Sequence, residues 1–113
     1  MTRVSAKNNK QRGKADELRV ARKLGCTRHP ADTGGGEDLR HPELCFQVKG
    51  GLRVINSTIR DGMQAAKVEA VGLHKLPAVV VVDRSGTRLR EYVVFELEPW
   101  CAWYGYGPKE EAE

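Results

Sequence analysis

An α/β fold, one mixed sheet with helices on its faces, is what three patterns in this chain predict. Apolar residues recur at helical spacing over residues 14–24 and again over 58–71. Between these stripes, residues 44–49 (LCFQVK) alternate with the period of two that belongs to a strand. After the second stripe, residues 78–82 (AVVVV) show no polar alternation and read as a strand covered on both faces. At 113 residues and 12.6 kDa the chain has room for one core. A single domain over 14–108 is therefore expected, with a basic arm at 1–13 and an acidic tail at 109–113.

Residues 1–13 (MTRVSAKNNKQRG) are polar, lack apolar periodicity and end in Gly13, so they read as a flexible arm. Over 14–24, at about 100° per residue, Leu18, Val20, Ala21 and Leu24 share one side of a helix, and Asp16, Arg19, Arg22 and Lys23 share the other. Glu17 falls within the apolar side, where an ionised carboxylate is costly unless it is paired or binds a metal. Gly25 stops the helix. Residues 26–30 form a first strand, and 31–36 (ADTGGG) a loop whose glycines permit close backbone approach. Residues 38–40 start a second strand, His41, Pro42 and Glu43 turn the chain, and 44–49 form a third. In that strand Leu44, Phe46 and Val48 face the core, while Cys45, Gln47 and Lys49 project together.

The second helix, over 58–71, carries Ile59, Met63, Ala66 and Ala70 on one stripe, with Ser57 or Thr58 as its cap and Gly62 as a weak point. After the AVVVV strand, Ser85 and Gly86 turn into a further strand over 88–95. Pro99 suits the first turn of a last helix in which Trp100, Trp103 and Tyr104 meet at helical spacing. Six of the seven aromatic residues lie beyond residue 90, and burial over the core is the favoured role for them. A dimer surface or a base-stacking platform is the functional alternative.

Charged residues make up 30% of the chain, the balance of a soluble globular protein. With no membrane-length apolar run and no signal-like N-terminus, a cytoplasmic protein is expected. Cys26, Cys45 and Cys101 are odd in number and lack CxxC spacing, so free thiols are expected. The net charge of +4 is unevenly spread. Residues 1–28 hold nine Lys and Arg against Asp16 and Glu17, a local balance of +7 that leaves −3 for the rest. Such a basic segment suits a polyanion, because lysines and arginines that neutralise phosphates release counterions.

The stretch 34–50 (GGGEDLRHPELCFQVKG) carries the chemistry. A hairpin joining its halves brings Asp38 to Gln47 and Lys49. If Glu17 converges on the same point, two carboxylates and an amide oxygen form a hard donor set suited to Mg²⁺ or Mn²⁺. A cation there lowers the pKa of a bound water and polarises a phosphoryl oxygen, while Lys49 stabilises the growing negative charge. These parts add up to metal-assisted phosphodiester hydrolysis.

A helix bearing Glu17, a glycine loop, Asp38, a strand and Gln47-Val48-Lys49-Gly50 together resemble the PD-(D/E)XK nuclease superfamily, more closely its Holliday junction resolvase-like, phage-type branch. The similarity spans residues 13–83. It implies a restriction-endonuclease-like αβββαβ core with a central mixed sheet flanked by helices. It implies Glu17, Asp38, Gln47 and the Val48 carbonyl as metal ligands, Lys49 as the catalytic lysine and Gln64 as a supporting polar residue. It further implies an endonuclease acting on branched DNA with Mg²⁺ or Mn²⁺, in the host cytoplasm if phage-encoded, and the two equivalent strands of a four-way junction call for a homodimer. Lys7, Lys10, Arg12, Lys14 and Arg53 are the candidate DNA contacts. Two positions depart from the family pattern. Glu37 stands where proline is common, and Gln47 replaces the usual acid, lowering the charge of the site; Glu37 or Asp32 are candidates to restore it. Two alternatives accompany this reading. One is a DNA-binding protein that keeps the fold without cutting. The other is a zinc site from Cys26, His29, His41 and Cys45.

Overall fold

The computed structural model describes residues 3–29 and 38–108, with side chains from residue 11 onward. The elements run in the order α1 (Arg3–Leu24), β1 (Thr27–Arg28), β2 (Leu39–Arg40), β3 (Cys45–Phe46), α2 (Ser57–Ala70), β4 (Val79–Asp83), β5 (Arg90–Val94) and α3 (Leu97–Tyr104). This is a mixed α/β protein, with the helices and strands in the order the sequence predicts. The expected loop at 31–36 and the acidic tail from residue 109 lie outside the described residues.

The described strands form two antiparallel sheets, β1-β2-β3 and β4-β5, where the sequence predicts one mixed sheet. The chain divides correspondingly into two compact units, residues 1–54 with 105–113, and residues 55–104.

In the first unit α1 begins at Arg3, so residues 3–13, expected to be a flexible arm, continue the helix. Most residues before Gly13 tolerate helix well and none is proline, so one glycine costing about 1 kcal/mol does not interrupt the backbone ladder. The helix ends in a Schellman motif. Cys26 N–H donates to Ala21 O at 2.9 Å and Gly25 N–H to Arg22 O at 3.1 Å, with Gly25 at φ 72°. Ala21 and Leu24 are buried with Leu39, which is fully enclosed. Leu18, predicted on the apolar side, is instead 57% exposed, so the buried stripe is confined to the last turns.

β1, β2 and β3 are each two residues long, shorter than predicted, and pair Arg28 with Leu39 and Leu39 with Phe46. His41 fixes the β2–β3 turn, its Nδ1 accepting the Glu43 and Leu44 N–H groups at 3.2 Å each. Its ring meets Phe46 and Tyr106 edge-on, with centroids 5.5 and 4.9 Å away.

In the second unit Asn56 caps α2, its Oδ1 accepting Ile59 N–H at 3.0 Å, one residue before the predicted cap. Met63 is buried, and Ile59, Ala66 and Ala70 are half-buried, as the stripe predicts. At Gly62 a Cβ would lie 3.5 Å from the Val79 methyls of β4, an ordinary contact, so packing there does not require glycine. β4 alternates between half-buried and exposed, with Val80 and Val82 outward, so the expected two-sided cover is not formed. The run of valines reflects β-branched strand preference as well as burial. α3 begins at Leu97, placing Pro99 in its first turn. The Trp100 and Tyr104 rings meet at a tilt of 58° with centroids 5.8 Å apart, but Trp103 and Tyr104 are more than half exposed, and Cys101 is the buried residue of this helix. Of the six late aromatics, Phe95, Trp100 and Tyr106 are half-buried and Tyr92, Trp103 and Tyr104 exposed, so the expected burial holds for half of them.

Candidate active site

Asp38 directly precedes β2, the central strand of the three-stranded sheet. Its carbonyl accepts His29 N–H and its N–H donates to Phe46 O, both at 2.9 Å. With both backbone groups engaged, its side chain is directed by position. Asp38 Oδ2 accepts Val48 N–H at 2.6 Å. The β3 ladder ends at Phe46, so this bond carries the pairing two residues further and seats the Gln47-Val48-Lys49 segment beside the acid. The structure thus brings Asp38 and Val48 into contact. Gln47 and Lys49 are exposed and Val48 half-buried, the alternation that the sequence predicts there.

Glu17 is also half-buried, and its carboxylate is an ion-pair partner of Arg28 Nε, from β1. The side chains keep 21% and 26% of their exposure, respectively. The charge on the apolar stripe is therefore compensated, as burial of a carboxylate demands. The partner that the structure gives the Glu17 carboxylate is thus Arg28 rather than Asp38.

Asp16 is a neighbour that the helical pattern misses. Predicted on the polar side, it retains only 25% of its side-chain exposure, pairs with Arg19 at 2.7 Å and lies against Gly50, where any Cβ would collide with Oδ2. A glycine after the lysine was the available signal. For Arg28 the signal was the need for a cation beside Glu17, with Arg28 on the strand that follows.

Arg12 and Lys14 are exposed on α1, and Lys7 and Lys10 belong to the same helix with side chains outside the described set. The basic residues thus ride on a helix. Arg53 is exposed, at φ 64°. Gln64 is exposed on α2, in the second unit. Glu37 and Asp32 lie outside the described residues.

The donor set fits Mg²⁺ or Mn²⁺ in kind, since Glu17, Asp38, Gln47 and the Val48 carbonyl all offer oxygen. Arg28 and Val48 N–H each engage one carboxylate oxygen, leaving a second oxygen on each acid. Among the described residues no three of His, Cys, Asp and Glu gather closely enough to hold a metal ion, which includes the four considered for zinc. His29 Nδ1 instead accepts from Arg40 at 3.3 Å, and His41 Nδ1 serves the turn. Cys26, Cys45 and Cys101 are free thiols, and burial pushes the Cys26 thiol above its ordinary value.

No described helix is long and apolar enough to cross a membrane. Comparison with protein-family models, with curated proteins and with solved structures gives no match to this chain.

Proposed function

We propose that this protein is a metal-dependent DNA endonuclease of the Holliday junction resolvase kind, hydrolysing phosphodiester bonds in branched DNA as a homodimer. The observation that carries this reading is the bond from Val48 N–H to Asp38 Oδ2, which holds the QVK segment against the acid. The order of elements supports it, as a helix with Glu17 precedes a three-stranded meander, a second helix and a further strand. The specific PD-(D/E)XK core, with its single mixed sheet, belongs to this proposal.

In this reading Glu17, Asp38, Gln47 and the Val48 carbonyl hold the Mg²⁺ or Mn²⁺. The bound cation supplies an activated water and a polarised phosphoryl oxygen. Lys49 offers its ammonium group to the charge that grows on the phosphate. The α1 cations and Arg53 contact the DNA backbone. A homodimer matches a four-way junction, whose two equivalent strands call for two equivalent sites.

A second reading, a DNA-binding protein that does not cut, is favoured by two features. Gln47 brings no negative charge, and Arg28 offsets that of Glu17. Incubating labelled four-way junction and linear duplex with Mg²⁺ or Mn²⁺ separates the two readings. Symmetrical nicks near the crossover, lost in Lys49→Ala and Asp38→Asn while binding persists, are the expected result. Tight junction binding without cleavage by the wild type would leave the second reading alone. Gln47→Glu should strengthen metal binding, and an unaltered metal titration would remove Gln47 from the ligand set.

A further inference from the structure

The charge of the chain is not basic only at its N-terminal end. Residues 83–90 (DRSGTRLR) place three arginines, Arg84, Arg88 and Arg90, around the tip of the β4–β5 hairpin. All three are exposed, and none forms an ion pair among the described residues.

The one acid within residues 83–90, Asp83, is held by the turn. Asp83 is the cross-strand partner of Arg90, the position from which an ion pair would be expected. Its Oδ1 instead accepts the Ser85 N–H at 2.9 Å and the Ser85 hydroxyl at 2.6 Å. Asp83 thus builds the turn, and the guanidinium groups keep their donors for another partner. A concavity of about 180 Å³ lies at the same place, lined by Asp83, Ser85, Gly86, Thr87, Arg88 and Arg90. Guanidinium forks beside hydroxyl and backbone donors are the chemistry that engages phosphate oxygens.

We infer that the β4–β5 hairpin tip is a nucleic-acid contact, with Arg84, Arg88 and Arg90 binding the phosphate backbone. The choice of DNA as the polyanion rests on the function proposed above. The hairpin is a second basic element, separate in sequence from the cations of α1. The three arginines carry no base-reading arrangement, so the contact adds affinity without sequence preference.

The test compares wild type, the triple variant Arg84→Gln/Arg88→Gln/Arg90→Gln, the triple Arg→Lys variant and Arg88→Gln alone. Binding to a fluorescein-labelled four-way junction and to linear duplex is measured across a salt series, with cleavage in Mg²⁺ scored separately. The triple Gln variant should bind about tenfold more weakly or worse, and its slope of log affinity against log salt should be shallower by about 2–3. The Lys variant should keep most of the slope, and Arg88→Gln should lose about 1, a change small enough to leave the fold intact. Unchanged slope and affinity in both Gln variants, with a wild type that cleaves, would overturn the hairpin contact and leave the nuclease reading standing. A wild type that binds but does not cut, with the slope reduced in the variants, would sink the nuclease reading alone. Binding to phosphatidylserine vesicles with none to DNA would overturn both.

Discussion

Asp38 holds Val48 through a side-chain bond of 2.6 Å that spans ten residues and continues the hairpin after its backbone ladder has stopped. An N–H given to a carboxylate contributes more than a neutral pair, about 1.5–3 kcal/mol. Asp38→Ala should therefore lose stability of that order and expose the Val48 amide to exchange. Asp38→Asn keeps an acceptor oxygen and should retain much of the protection. Hydrogen exchange at Val48, followed by NMR, checks both. Equal protection in wild type and the alanine variant would show that the bond does not hold the segment.

The Glu17 and Arg28 pair ties α1 to the first strand with both side chains mostly shielded from water. At this depth, removing one partner leaves a partly buried charge uncompensated, which costs more than breaking an exposed pair. A double-mutant cycle of Glu17→Gln and Arg28→Gln in urea unfolding should give a coupling of about 1–2 kcal/mol. Additive effects would mean that the pair contributes nothing beyond its separate side chains.

What the sequence reveals follows the range of the interaction. Helical stripes and strand alternation depend on neighbours a few residues apart, so the element order and the alternation of Gln47, Val48 and Lys49 are legible. Which side of a helix is covered depends on distant residues. Leu18 therefore looks apolar and core-facing yet is exposed, and Asp16 looks solvated yet lies against Gly50. Glu17 stands out in the sequence as an anomaly, but its partner Arg28, eleven residues on, reads there only as basic charge. Polar composition argued for a flexible arm at 1–13, although helix formation there needs only the local backbone ladder. The three arginines of the β4–β5 tip stand out only locally, because acids outnumber bases over the residues beyond 28 as a whole.

Gly25 and Gly50 should respond differently to alanine. At Gly25 the backbone is at φ 72°, and a Cβ would strike the Gly107 carbonyl, which has no rotamer through which to withdraw. At Gly50 the obstacle is the end of the Asp16 side chain, which can turn aside at the expense of its Arg19 pair. Gly25→Ala should cost about 2–3 kcal/mol and Gly50→Ala about 1 kcal/mol. Asp16→Ala should relieve only the second, and unfolding curves of the single and double variants measure both. A Gly50→Ala loss that persists in the Asp16→Ala background would place the obstacle elsewhere.

The Asp83 turn makes an acid-dependent contribution whose sign follows from its hydrogen bonds. The Ser85 hydroxyl, and then the Ser85 N–H, hold the Asp83 carboxyl below its ordinary value of 3.8 by favouring the charged form. A carboxyl lowered on folding stabilises the native state above its unfolded value, and that contribution is lost as pH falls through the lowered folded value. Titration of the Asp83 carboxyl carbon by NMR should therefore give a midpoint below 3.8. Ser85→Ala removes the larger of the two causes while keeping the backbone donor, so the midpoint should rise part of the way back. An unchanged midpoint would show that the hydroxyl does not hold the carboxylate. Asp83→Asn should abolish this share of the acid dependence, because the amide does not titrate; if acid unfolding curves keep their full pH dependence in that variant, the contribution comes from another carboxylate.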